Sequence, residues 1–271
     1  MWTKVRPPAV AGLFYPEDPQ TLKTMVHQFL REATISGPVP KAIIAPHAGY
    51  IYSGPVAASA YKPLLPARGK IERVVLIGPA HRLPFRGIAT VDVDAFLTPL
   101  GAVPVDREAI AALLDLPYVQ VLDEAHAPEH CLEVQLPFLQ EILGDFKIVP
   151  LLVGEATPEE VAEVLERLWD GDGTLIVVSS DLSHYYDYET ARRLDLETTR
   201  AIEELAPERL TWESACGRLP IAGLLLVARR KGLIPKTLDL RNSGDTAGPK
   251  DQVVGYGAYA FYEPEVLRKA A

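Results

Sequence analysis

The sequence predicts an α/β protein in which a mixed, largely parallel sheet is covered by helices on both faces. Three observations carry this. Short apolar runs rich in Val, Ile and Leu alternate along the chain with segments of helical period. Three of those runs each end beside a histidine: Lys41–Pro46 before His47, Glu72–Pro79 before Ala80 and His81, and Gly173–Ser180 before Asp181 and His184. The alternation continues through 271 residues without an evident linker, repeat or low-complexity tract, which predicts one domain over 1–271. In open α/β sheets ligands bind beyond the carboxyl ends of the strands, so three such ends can meet at one point.

The elements follow in order. Met1–Pro16 carries three prolines and reads as an extended arm on the surface. Asp18 and Pro19 open a helix through about Glu32, with Leu22, Val26, Phe29 and Leu30 on one face. Gly37–Pro40 breaks it, and the first histidine strand follows. A loop bearing Gly49, Tyr50, Tyr52 and Gly54 precedes a small-residue helix over Pro55–Leu64. After the second histidine strand, Gly87–Leu97 reads as another strand. Val103–Pro104 begins a short extended piece before a helix over Asp106–Leu114. A loop with Glu124, His126, Glu129 and His130 leads into a helix over Leu132–Leu143, with Leu136, Leu139 and Leu143 spaced for burial. Lys147–Gly154 is a strand and Pro158–Trp169 a helix. Beyond the third histidine strand come a charged helix over Tyr188–Leu205, an apolar helix from near Pro220 to Lys231, and a closing strand over Val253–Tyr262.

Composition removes several classes of function. With 48% hydrophobic residues the chain buries a core comfortably, and a formal net charge of −9 argues against a nucleic-acid surface. No apolar run is long enough to span a bilayer, and no signal-peptide pattern opens the chain, so no membrane partner is expected. Cys131 and Cys216 cannot build a disulfide framework, which points to free thiols and a cytoplasmic setting. Ser179 and Ser180 lie near Asp181 and His184, but the Gly-x-Ser-x-Gly turn of hydrolases is absent. The glycines between Gly244 and Gly257 lack the spacing of a dinucleotide fingerprint.

Imidazoles and carboxylates gathered at strand ends suit a divalent transition metal or an acid–base site. The other reading is that each histidine caps a strand or turn by hydrogen bonding. Several segments bear on the choice: Arg6–Pro16 (RPPAVAGLFYP), Ala45–Tyr61 (APHAGYIYSGPVAASAY), Leu76–His81 (LIGPAH), Glu129–Leu139 (EHCLEVQLPFL), Ser179–Tyr185 (SSDLSHY) and Cys216–Ile221 (CGRLPI). Together they resemble the MEMO family, called AmmeMemoRadiSam system protein B in prokaryotes.

That family is similar in fold to the class III extradiol ring-cleaving dioxygenases, non-haem Fe(II) enzymes. The resemblance implies a three-layer α/β/α sandwich with its pocket at the strand ends. It implies metal ligation by His47, His81 and Cys216, with Asp181 and His184 lining the pocket and His130 a further pocket candidate. The implied activity is that of a metal-dependent oxidoreductase of unknown substrate. Eukaryotic members resemble signalling adaptors that bind phosphotyrosine peptides, so a binding module with a small-molecule or peptide ligand is the alternative. The prokaryotic family name implies AMMECR1-like and radical SAM partners.

The residues can be weighed singly. Neutral imidazole is a good ligand for Fe, Zn or Cu, and Gly49 and Gly78 permit close backbone approach near His47 and His81. Cys216 precedes a helix whose dipole favours thiolate, the metal-binding form; otherwise it is a small buried hydrophobe. The ring-cleaving enzymes use two histidines and a glutamate. A soft thiolate in that place shifts the preference toward Cu(I), Zn or a redox-tuned Fe; Fe(II) is the first expectation, with Cu or Zn as alternatives. Asp181 and His184 lie close enough in a loop to bond each other, as a general base with its orienting carboxylate, as support for the ligands, or as an Asp capping the next turn. His130 at a helix start can donate a proton. His126 reads as exposed loop, His27 as surface, and Cys131 as a packing residue. Arg6, Tyr50 and Tyr52 either shape the pocket mouth or serve ordinary packing.

Overall fold

The computed structural model of the chain describes residues 2–171 and 173–271. Among them run twelve strands: β1 (Val5–Arg6), β2 (Ala42–Ala45), β3 (Arg73–Pro79), β4 (Ile88–Thr90), β5 (Ala95–Thr98), β6 (Gly101–Pro104), β7 (Val119–Val121), β8 (Lys147–Val153), β9 (Thr174–Ser179), β10 (His184–Tyr186), β11 (Ile234–Asn242) and β12 (Val253–Tyr262). The nine-stranded main sheet is ordered β10-β12-β2-β9-β3-β8-β4-β7, with β11 also on β12; β1, β5 and β6 form a small second sheet. The sheet is mixed. Its four middle strands are parallel neighbours, while β12 on one side and β4 on the other run antiparallel to them.

β2, β3, β8 and β9 are almost wholly buried Val, Ile, Leu and Ala runs. Continuous apolar strands of this kind need cover on both faces. Helices Pro19–Glu32, Tyr50–Tyr61 and Leu136–Leu143 pack together as one layer. Helices Pro158–Arg167 and Arg218–Lys231 pack on each other and, through the latter, on β3 and β9. The result is a three-layer α/β/α sandwich.

This topology places the site. Ala45 of β2 pairs with Ser179 of β9, and Val178 of β9 pairs with Ile77 of β3. Because these neighbours are parallel, their carboxyl ends lie side by side. His47, His81 and Asp181 each stand two residues beyond the last residue of one of these strands.

Some expectations need correction. Residues 2–16 run along the surface but are tied into it: Arg6, Val10 and Tyr15 are buried, and β1 pairs with β5 (Met1 lies outside the described residues). The expected loop at Tyr50–Gly54 is already helical, so Pro55 lies inside the helix rather than at its start. Gly87–Leu97 is two strands in two sheets, β4 and β5. Val91 and Val93 stay buried across the junction, so the apolar pattern never breaks. The loop before residue 132 contains a short helix, Asp123–His126, and Glu133–Gln135 forms a 3₁₀ turn before the α-helix. Strands β7, β10 and β11 were not expected, because they are short or carry interspersed charges.

Candidate metal centre

His47 is 1% exposed, and its two ring nitrogens have different partners. Nδ1 lies 2.9 Å from the Ser179 hydroxyl. That hydroxyl donates its single proton to the Cys131 carbonyl at 2.7 Å and also accepts from Gln135 Nε2 at 2.9 Å. With its proton committed, Ser179 must accept from His47 Nδ1–H, which leaves Nε2 as the lone-pair nitrogen. Nε2 faces Cys216 Sγ at 3.3 Å, so the thiol donates to it.

His81 is arranged in the same way. Its Nδ1 donates to Glu129 Oε2 at 2.9 Å, again leaving Nε2 free. Burial acts to raise the pKa of Glu129. Bonds from the His81 ring and backbone N–H and from the Cys131 N–H outweigh it and hold the carboxyl at about 2. Glu129 is therefore a fixed anion. Gln135 carries no signal in the sequence, Ser179 draws attention there only as a hydrolase-like serine, and Glu129 only by its adjacency to His130.

The His47, His81 and Cys216 ligand atoms lie within 4.8 Å of one another. Tetrahedral ligands about 2.0–2.3 Å from one ion stand about 3.3–3.8 Å apart, a spacing that His47 Nε2 and Cys216 Sγ already have at 3.3 Å. Gly217 lets the Cys216 segment approach: its N–H donates to Ser180 Oγ at 2.9 Å, and a Cβ there would stand 2.6 Å from Ser180 Cβ. A Cβ at Gly78 would likewise stand 2.9 Å from Cys131 Sγ, whereas a Cβ at Gly49 would meet only ordinary contacts.

Without a bound ion the surroundings of Cys216 oppose the thiolate that the helix start favours. Burial first, and the nearby Asp181 carboxylate second, push this thiol up to about 12, outweighing hydrogen bonds that favour the thiolate. Burial also drives His47 well below its ordinary value. Burial first, then the His47 ring, lower His130 to about 4, so at neutral pH its ring is uncharged.

His130 does reach the pocket. Its ring centroid lies 5.4 Å from that of His47 and 4.9 Å from that of His81, and its Nδ1 is buried without a hydrogen-bond partner. Asp181 accepts the His47 backbone N–H at 2.8 Å, and burial raises its pKa. His184 lies in β10 rather than in a loop and acts electrostatically on both His47 and Asp181. Asp181 bonds the His47 backbone, and no Asp181–His184 hydrogen bond forms among the described residues.

Other expected roles move. His126 is buried, not exposed, and its Nε2 bonds the Ala89 carbonyl at 2.8 Å. Arg6 is not at the pocket mouth. It pairs with buried Glu133 at 2.8 Å and also bonds the His126 and Glu129 carbonyls, which anchors the segment carrying Glu129. Tyr50 is buried, with its hydroxyl on the Val134 carbonyl, while Tyr52 stays partly exposed. Cys131 is a packing residue, fully buried with Sγ on the Pro79 carbonyl.

The Memo-like protein family model matches residues 6–260, a span that includes all of these residues. The chain belongs to the MEMO family. It is 40% identical to a MEMO1 family protein of Aeropyrum pernix, over 94% of this chain and 99% of the relative. The MEMO1 family protein of Aquifex aeolicus is 38% identical over 95% and 99%, and that of Methanopyrus kandleri 37% identical over 94% and 98%. This MEMO chain thus aligns with its relatives over nearly their whole lengths.

Proposed function

We propose that the chain is a metal-binding protein whose centre is formed by His47 Nε2, His81 Nε2 and Cys216 Sγ, and that it works as a metal-dependent oxidoreductase. The observation that carries this is the tautomer arrangement. Both histidines spend Nδ1–H on a fixed acceptor, Ser179 or Glu129, which turns Nε2 to an incoming ion, and both rings stand with the Cys216 thiol in one cluster. Metal-bound histidines characteristically commit their second nitrogen in this way. Two imidazoles and a thiol suit Fe(II), taken first, and also Cu or Zn.

Bound there, the ion would supply Lewis-acid or one-electron chemistry. The chain's own groups supply the rest. Asp181 fixes the His47 backbone, and neutral His130 offers a buried proton acceptor beside the two ligand rings. His184 adds a second imidazole near Asp181. AMMECR1-like and radical SAM proteins are partners to test by co-purification.

The test is metal analysis of anaerobically purified protein, with oxygen consumption assayed after Fe(II) loading. About one ion per chain is expected, lost in both His47→Ala and Cys216→Ala while the fold persists. Failure to retain Fe(II), Cu(I) or Zn(II) would overturn the metal reading and leave a pocket that only binds a small molecule or peptide.

A further inference from the structure

The Cys216 wall of the centre continues into a groove of about 870 Å³. Leu83, Phe85 and Leu219 line it beside Cys216, and Trp212 and Arg218 stand at its rim. Trp212 is 86% exposed, an expensive placement for an indole in a chain that buries most of its large apolar residues. The Arg218 guanidinium carbon lies 4.2 Å from the Trp212 ring centroid. Among the described residues no carboxylate pairs with Arg218. Arg229 and Arg230, at the other end of the same helix, do pair, with Glu208 and Glu166. An unpaired cation beside an apolar groove, in a chain of net charge −9, is a specific local feature.

A guanidinium stacked on an aromatic face still has N–H donors in its own plane, and these match a carboxylate with two parallel bonds. The groove volume lies within the range of small-molecule sites. We propose that this groove binds an organic anion, its apolar body against Leu83, Phe85 and Leu219 and its carboxylate on Arg218. Because Arg218 follows Cys216 by two residues, such a ligand would lie along the Cys216 side of the centre. Its role as substrate rests on the metal reading above; its binding does not.

The probes are 4-tert-butylbenzoate and the neutral 4-tert-butylbenzamide, titrated calorimetrically into metal-free and Fe(II)-loaded protein. The carboxylate is expected to bind both forms, to alter Trp212 emission, and to weaken with added salt. The amide, and the carboxylate with Arg218→Gln, are expected to bind at least about 10-fold more weakly, the loss of one charge-assisted bond. Arg218→Lys, which keeps the charge but not the fork, should lose less than Arg218→Gln. Equal affinity for acid and amide, or no change in Arg218→Gln, would overturn the proposal. Binding that needs the metal and survives Arg218→Gln would make the carboxylate a metal ligand, sinking the groove while sparing the centre. Binding without metal that is lost in Arg218→Gln supports the groove whatever the metal analysis returns.

Discussion

The Ser179 hydroxyl sits 2.9 Å from His47 Nδ1 and determines which nitrogen of that ring is free. Ser179 is fully buried and already donates to the Cys131 carbonyl, so it can only accept from His47. Removing the hydroxyl frees the ring to rotate or to protonate Nε2. Ser179→Ala is therefore expected to weaken metal binding by about 10–100-fold, the usual effect of losing a ligand's orienting partner. Competition titration against a chromophoric chelator measures this. Unchanged affinity would mean that packing alone orients the ring.

The raised pKa of Cys216 gives metal binding a definite pH dependence. With the thiol pushed up to about 12 it is protonated throughout the working range, and a coordinating thiol must lose that proton. His47 and His130 are depressed by burial and are already neutral, so neither releases a proton at pH 7. Affinity should rise with pH, by about tenfold per unit for one released proton. Calorimetry at pH 7 in buffers of different ionisation enthalpy should show that proton; a pH-independent affinity would place the ion away from Cys216.

Much of the centre was legible because it obeys a rule of topology. His47, His81 and Asp181 each follow a continuous apolar run by the same short interval, and neighbouring parallel strands bring such ends together. The thiol state was not legible. A helix start argues for thiolate, and burial at Cys216, which no local pattern announces, acts against it. Glu129 was hidden for another reason: its partner His81 is 48 residues away, and no local pattern announces a long-range bond. The same holds for Arg6, whose prolines suggested a surface arm although its charge is spent on Glu133 in the interior.

That buried pair yields a stability prediction. Arg6 and Glu133 have side-chain exposures of 4% and 0%, and Glu133 also accepts from the Ala9 and Val10 N–H groups and the Tyr15 hydroxyl. Removing one partner leaves a buried charge uncompensated, which costs about 3–5 kcal/mol. Arg6→Met alone should show that loss in urea denaturation. Adding Glu133→Gln should recover part of it, because the second substitution removes the orphaned charge. A double variant less stable than Arg6→Met would show that the amino-terminal hydrogen bonds, rather than the ion pair, carry the stability.

Asp195 offers the converse case, a buried carboxyl that lowers stability when it ionises. It lies in helix Tyr188–Glu203, is 2% exposed, and accepts the Ser183 N–H at 3.0 Å. Burial raises its pKa from 3.8 to about 6, and the Ser183 bonds only partly oppose this. Below the unfolded value both states hold the proton, and the stabilising difference is fully present. As pH rises through about 6 the folded chain must ionise a buried group, and on the order of 2–3 kcal/mol is lost. Asp195→Asn keeps an oxygen for Ser183 and cannot ionise. The variant should therefore gain on the parent between pH 4 and pH 6.5 and hold a constant advantage above that window. Paired urea titrations at pH 4, 5 and 7 measure the difference. An advantage that does not change with pH would mean that Asp195 stays ionised, or stays protonated, across the whole range.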